Sequence, residues 1–517
     1  MKAFPEFDAF AEAFDAGRPQ VVWTTLIADL ETPVSAMLKL ADGRPNSFLL
    51  ESVEGGSIRG RYSFLGMKPD LIWRCAGNRA EINRAALTKP ANFVPCEISL
   101  KDGALASLRA VLAESRIDMP EKLPPMAAGL FGYMGYDTVR LVEKIPDDNP
   151  TVIDVPDGMF VRPTVVAVFD TIEDTVTVVT PVWQMDGSAE QAYDAALGRL
   201  AEVLEDFERP LPYRHEMSTE ADELPPPQSN MTEAQFHAMV ERAKEYILAG
   251  DIFQVVLSQR FALPFTLPPL AFYRALRRIN PSPFLFFLDF GDFSIVGSSP
   301  ELLVRLREGR VTIRPIAGTR PRGKNAAEDK ALADDLLSDP KELAEHLMLL
   351  DLGRNDVGRV AEIGSVAVTD KMIIEHYSHV MHIVSNVDGS LRDGLDMMDA
   401  LMAGFPAGTV SGAPKVRAME IIDELEPERR GIYAGCIGYF GANGDMDTCI
   451  ALRTAVIKDG TLYVQAGGGI VADSNPKNEF EESRNKAKAL VRAAEDAVRF
   501  AADARNTHNR ATVITLP

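Results

Sequence analysis

From Val21 to about Thr180 the chain is built of short β-rich runs separated by Gly, Pro and Asp turns. Phe48-Leu49-Leu50-Glu51-Ser52, Tyr62-Ser63-Phe64-Leu65-Gly66 and the stretch from Thr164 to Phe169 are examples. Runs this short, joined by turns, predict a large antiparallel sheet with a few helices, one of them over 104–114. Phe4, Phe7, Phe10 and Phe14 recur at helical spacing and predict a short N-terminal helix laid against the body.

A helix is predicted over 189–207, ended by Arg209-Pro210-Leu211-Pro212, and a polar, Pro-rich stretch with Pro225-Pro226-Pro227 follows. We place a linker over 210–230, between an N-terminal domain at 1–209 and a second domain at 231–500, with a tail at 501–517. Thr232 and Gln235 form a capping box for a helix reaching about Ala249. Strands are predicted over 252–263 and 284–290, with a hairpin over 302–316 turning at Glu308-Gly309. Helices follow over 327–337 and 340–352. A meander over 432–441, 446–457 and 461–466 turns at Asn443-Gly444 and Asp459-Gly460, and a long helix runs from Pro476 to about Ala501.

A formal charge of −21 argues against a nucleic-acid groove or an anionic membrane surface as the main partner. It leaves room for a small anionic substrate, because a divalent cation and a few buried basic groups reverse the sign locally. Cys75, Cys96, Cys436 and Cys449 have no CxxC spacing, so neither a disulfide framework nor a zinc site is expected. The acidic N-terminus and the lack of a long apolar run predict a cytoplasmic protein.

The chemistry begins in the stretch from Asp339 to Asp356. Asp339 suits a helix cap, Pro340 the first position and Gly353 the end, while Leu343, Leu347 and Leu350 would face a core. Glu342 and Glu345 then project together, as a solvated acidic face or as oxygen ligands for a hard cation. On the last helix Glu479, Glu482 and Lys486 share a face. Glu482 and Lys486 suit a surface pair, and Glu345 with Glu482 suits an oxygen-only Mg²⁺ site. Gly467-Gly468-Gly469 fits a tight turn or an anion cradle, and the 406–415 loop offers hydroxyls and Lys415 beside a helix start.

In combination these pieces resemble the chorismate-utilising enzymes, and within them the large subunit of anthranilate synthase. The matching stretches are 250–258, Gly297-Ser298-Ser299-Pro300-Glu301, Pro315-Ile316-Ala317-Gly318-Thr319, the 339–356 helix, the 406–415 loop, Ile450-Ala451-Leu452-Arg453-Thr454 and 479–486. The resemblance implies an α+β fold with two large, mostly antiparallel sheets packed face to face and helices outside. It implies Glu345 and Glu482 as Mg²⁺ ligands, with Glu342 and Glu479 acting through water. It implies Tyr433 and Arg453 on the enolpyruvyl carboxylate, and Gly467, Gly468, Gly469 and Lys486 around the ring carboxylate. Thr409 and His382 would line the substrate, and Glu301 would protonate the departing C4 hydroxyl. His382 is our choice for the base that removes the C2 proton, although a lone His in an apolar stretch also fits a core residue.

Two positions separate the relatives. Isochorismate and salicylate synthases carry a water-activating lysine where this chain has Gln254, which favours ammonia as nucleophile. Aminodeoxychorismate synthases typically carry a lysine where this chain has Ala317. Those activities, and a catalytically silent tryptophan-binding sensor, are the alternatives. Leu50, Glu51, Ser52 and Arg61, completed by Asn280, Pro281, Ser282 and Pro283, resemble a tryptophan feedback site in which a carboxylate and a hydroxyl at a sheet edge hold the ammonium group. Many relatives have another residue at Phe284. No Cys has a glutaminase context, so a separate glutamine amidotransferase subunit is expected, in an assembly of two large and two small subunits.

Overall fold

The computed structural model describes residues 1–41, 43–54, 58–183, 187–211, 223–377 and 380–514. Most of the predicted linker, 212–222, lies outside them, as do 515–517.

The strands form two sheets that share two long strands. In the first, the order is Gln20–Ile27, Thr175–Val182, the end of Gly158–Asp170, the start of Ile58–Ala76, Ser47–Glu54, Phe284–Asp289, Phe293–Ser299, Thr454–Lys458, Thr461–Ile470 and Gln254–Pro264. In the second, Arg79–Asn83 leads through the end of Ile58–Ala76 and the start of Gly158–Asp170 to Gly129–Met134, Cys436–Gly441, Met446–Ile450, Leu302–Arg307, Arg310–Ile313 and Val380–Ser390. Ile316–Pro321 and Ala367–His376 flank the last of these. All pairings are antiparallel, and the two halves of the sequence interleave in both sheets, through Ser47–Glu54 on Phe284–Asp289 and Gly129–Met134 on Cys436–Gly441.

The shared pair bends where Lys68 adopts a left-handed φ of 53° and the register slips between Pro69 and Leu71. Asp70 fixes the bend through a two-point pair with Arg162, at 2.9 and 2.8 Å. Beyond it the sheets face one another across an aromatic core in which Phe48 stacks on Phe131 at 4.4 Å and Tyr133 meets Phe290 and Phe293. Helices cover the outer faces: Phe7–Asp15, Ala189–Glu208, Pro269–Ile279 and Pro476–Ile514 lie on the first sheet, Glu233–Ala249 and Lys415–Leu425 pack on its Gln254–Pro264 strand, and Ala104–Glu114 and Pro340–Val360 lie on the second. Among the described residues no helix is long and apolar enough to cross a membrane. All four cysteines are free.

The capping box of Thr232 and Gln235 and the Asp339 cap form as predicted. Other expectations need correction. The 340–352 helix runs on through Gly353 to Val360, because Val357 and Val360 continue its buried stripe and Gly353 packs without a side chain beside Ile313, Pro315 and Val387. Leu347 points outward, and His346, Leu349 and Leu350 face the core. The last helix passes 501 to reach Ile514.

Candidate active site

The predicted 446–457 strand is broken at 451–453, and this break places one half of the site. Met446–Ile450 belongs to the second sheet and Thr454–Lys458 to the first, so Arg453, at a left-handed φ of 47°, sits where the chain passes between them. Its antiparallel neighbour crosses at the same level: Phe293–Ser299 lies in the first sheet, Leu302–Arg307 in the second, and Glu301 at the passage. Backbone bonds tie the crossings together, from Ile450 N–H to Glu301 O at 3.0 Å and from Ser298 N–H to Arg453 O at 3.1 Å.

At this junction burial dominates the electrostatics. The Glu301 carboxyl is pushed up to about 8, because desolvation outweighs the Ile316 N–H and the Thr409 hydroxyl beside it. Thr409, on the turn Gly408–Val410, faces that carboxyl without completing a full hydrogen bond. The Arg453 guanidinium is also desolvated, which lowers its pKa, and no carboxylate among the described residues pairs with it. An unpaired buried cation of this kind suits a ligand's carboxylate.

His382 joins from the strand Val380–Ser390. Its Nδ1 lies 2.9 Å from Gly318 O, which only accepts, so that bond puts the proton on Nδ1 and leaves Nε2 as a lone-pair acceptor. Desolvation first, and then the Arg453 charge, hold the ring below its ordinary pKa and neutral near pH 7. Tyr377 packs its ring edge against His382 at 5.3 Å and gives its hydroxyl hydrogen to Glu375 at 2.9 Å. The sequence reading missed Tyr377; the signal available was an aromatic at the end of the strand paired with the His382 strand.

The acidic helices meet at the open end of the Thr461–Ile470 strand. Desolvation first, then Glu342, raise the pKa of Glu345; the Gln254 amide and Lys486 oppose this, and Glu482 adds to it. Glu479 is raised in the same way by burial and by Glu482, against the Ser474 hydroxyl and Lys486. Lys486 Nζ sits 2.8 Å from Glu482 Oε1 and 3.0 Å from Gly467 O, so the predicted surface pair is built into the site. Glu342 is held by Arg320 at 3.3 Å.

Gly467, Gly468 and Gly469 are strand residues opposite Ser258, Leu257 and Val256, which replaces the expectation of a turn. Side chains are excluded there: a Cβ on Gly468 would stand 3.2 Å from Glu479 Oε2, and one on Gly469 would stand 2.0 Å from Gln254 Nε2. The Gly467 N–H faces the Tyr433 hydroxyl, whose pKa burial raises to about 12. Lys415, offered by the 406–415 loop, is not free; it is buried against Asp356 at 2.8 Å. Among the described residues no three His, Cys, Asp or Glu side chains form a ready metal cage. The site is instead an acidic rim, in which burial and the neighbouring carboxylates raise Glu345 and Glu479.

The model of the chorismate binding enzymes matches residues 66–492. Over 501 residues the chain is 60% identical to anthranilate synthase component 1 of Cereibacter sphaeroides, covering 97% of this chain and 99% of that one. This chain belongs to the anthranilate synthase component 1 family. The Pseudomonas aeruginosa member is 51% identical over 471 residues, 90% of this chain and 94% of its own. Among solved structures, the Streptococcus pneumoniae anthranilate synthase component I superposes with a TM-score of 0.74 at 41% identity, over 84% of this chain and 93% of that one. The menaquinone-specific isochorismate synthase MenF of Escherichia coli shares the fold at 18% identity and a TM-score of 0.68, over 95% and 98% of the two chains.

In this anthranilate synthase component 1 family member the α+β expectation of two facing antiparallel sheets holds. The expected placement of the feedback residues at a sheet edge needs correction. Ser47–Glu54 is no sheet edge, since it pairs on both sides. The Glu51 carboxylate is already engaged by Tyr273 at 2.5 Å and by Arg277 at 2.6 and 2.8 Å. Ser52 donates to Tyr62 O at 3.2 Å, and Arg61 pairs with Asp170 at 2.8 Å. Leu50, Glu51, Ser52, Arg61 and Pro283 line a cavity of about 950 Å³ between the sheets. Asn280, Pro281 and Ser282 stand behind its wall, where Asn280 accepts from Ser298 Oγ and keeps a buried, unpartnered Nδ2.

Proposed function

We propose that this chain is the large subunit of an anthranilate synthase, converting chorismate and ammonia to anthranilate and pyruvate as the first step of tryptophan biosynthesis. One observation carries the choice of nucleophile. The neutral Gln254 amide lies against Glu345 and Gly469, and Ala317 follows Ile316, the residue whose N–H reaches Glu301. Neither position holds a lysine to activate water or attack the ring.

Arg453 and Tyr433 would bind the enolpyruvyl carboxylate, and the Gly467–Gly469 strand with Lys486 would hold the ring carboxylate. The acidic rim suits a hard cation with oxygen ligands: Glu345 and Glu482 would hold Mg²⁺, with Glu342 and Glu479 acting through water. When bound, that ion supplies positive charge to a dicarboxylate substrate. Glu301, protonated at neutral pH, gives its proton to the C4 oxygen as the C4–O bond breaks and ammonia adds at C2, and Thr409 orients the carboxyl. His382 Nε2 then takes the C2 proton, and pyruvate is eliminated to leave the aromatic ring.

Ammonia would come from glutamine through a component II amidotransferase subunit, in an assembly of two large and two small subunits. Tryptophan would inhibit from the cavity between the sheets, which Leu50, Glu51, Ser52 and Arg61 line. The test is to give the purified chain chorismate, Mg²⁺ and an ammonium salt and to follow anthranilate fluorescence. Isochorismate, salicylate or aminodeoxychorismate as the main product overturns the assignment.

A further inference from the structure

Glu301 also borders a second and much smaller pocket of about 30 Å³. A buried water needs ~10–15 Å³ of such space and polar partners, so about two waters fit. The lining is mostly apolar, from Leu303, Ile313, Leu349 and Gly353, but three polar side chains border it: Glu301, Thr409 and Asp356. The Thr409 hydroxyl is buried beside the Glu301 carboxyl without a full hydrogen bond. Asp356 is only 5% exposed, and its Oδ2 takes Lys415 Nζ at 2.8 Å. Leu352, Ala407 and Gly408 are partly exposed and form the rim.

A buried ion pair is weak support for stability, since apolar residues of similar volume often serve as well. Its position is informative here. Once Glu301 has given its proton to the leaving oxygen, it is a carboxylate in a desolvated site, with the substrate above it. A proton can return from below without product leaving first.

We propose that this pocket is the return path for the Glu301 proton, with water linking Glu301 to Asp356 and the Asp356–Lys415 pair holding and aligning that chain. In each cycle the Glu301 O–H bond breaks as the C4 oxygen leaves as water. A solvent proton entering at the rim is taken by Asp356, and as it passes on, an Asp356 O–H bond is exchanged through water for a new Glu301 O–H bond. Lys415 stays protonated, and nothing is oxidised or reduced. Asp356 and Lys415 are positioning and relay residues that touch no substrate. The inference rests on Glu301 being the acid.

The test compares a first turnover, with enzyme in excess over chorismate, with steady-state turnover, in the full chain with Mg²⁺ and ammonium. Replacing the pair by neutral near-isosteres, Asp356→Asn with Lys415→Met, should leave the first turnover near the wild-type rate. It should slow later turnovers roughly tenfold and raise the solvent deuterium isotope effect on them alone. Equal rates in both regimes, or an equal loss in both with an intact fold, overturn the relay. Leu352→Phe, which narrows the rim and leaves the ion pair alone, is read in the same way should the double variant not fold. Glu301→Gln separates the two readings. If it still turns over, Glu301 is not the acid; if it fails in the first turnover while the pair variants are normal in both regimes, only the relay is wrong.

Discussion

Replacing Glu301 by Gln probes burial and catalysis together. The folded carboxyl is raised from 4.5 to about 8, so the folded chain holds a proton there that the unfolded chain has lost. A group raised in this way lowers stability as pH climbs between the two values, because the unfolded state binds fewer protons. At ~1.36 kcal/mol per pH unit the loss across that window is at most roughly 5 kcal/mol. Gln mimics the protonated acid and does not titrate. Glu301→Gln should therefore match the wild type near pH 5 and exceed its stability by roughly 2–4 kcal/mol at pH 9, measured by urea unfolding. The same variant has no proton to give, so anthranilate formation should fall by about 10²-fold or more. In the wild type, turnover should decline tenfold per pH unit above about 8 as Glu301 loses its proton. Stability curves that stay parallel from pH 5 to 9, or an active variant, would refute the desolvated-acid account.

Other perturbations separate the parts of the site. Gly469→Ala places a Cβ 2.0 Å from Gln254 Nε2 and should cost at least about tenfold in kcat, whereas Gly468→Ala, at 3.2 Å from Glu479, should mainly weaken Mg²⁺ activation; steady-state assays with Mg²⁺ titration distinguish them. Glu345→Ala and Glu482→Ala should each abolish Mg²⁺-dependent turnover with unchanged circular dichroism, and full activity in either removes the metal assignment. Glu51→Gln, which breaks a pair made with Arg277 from across the fold, should destabilise by roughly 3 kcal/mol in chemical denaturation. Tryptophan titration of wild type and Ser52→Ala tests the feedback site, and superimposable inhibition curves remove it.

Local signals in the sequence were strong where a local force decides. The Ala104–Glu114 helix, the Thr232 capping box and the Glu308-Gly309 hairpin are read from periodicity, side-chain caps and turn chemistry. Sheet membership is a different matter. The run from Met446 to Ile457 is β-rich throughout, and nothing local marks Ala451–Arg453 as the passage from one sheet to the other. Glu51 looked like a free carboxylate because Tyr273 and Arg277 arrive from more than two hundred residues away. Gly353 looked like a helix end because its role is packing against other elements. Glu301, Arg453 and the acidic residues of the two helices were singled out through their motifs, while the contacts of Tyr377, of Asp356 and of the small pocket are products of tertiary assembly.

The passage between the sheets at Pro300, Glu301 and Leu302 has one further consequence. Pro300 and Leu302 look into the large cavity, Glu301 looks into the small pocket, and Leu302 borders both. A molecule filling the cavity would touch the same three-residue turn that carries the acid, so an inhibitor bound there would be linked to substrate through this turn. Linkage is reciprocal: whatever the inhibitor takes from substrate affinity through this turn, bound substrate takes from inhibitor affinity by the same factor. Inhibition would then look competitive in a rate plot although such an inhibitor would occupy the large cavity and not the small pocket at Glu301.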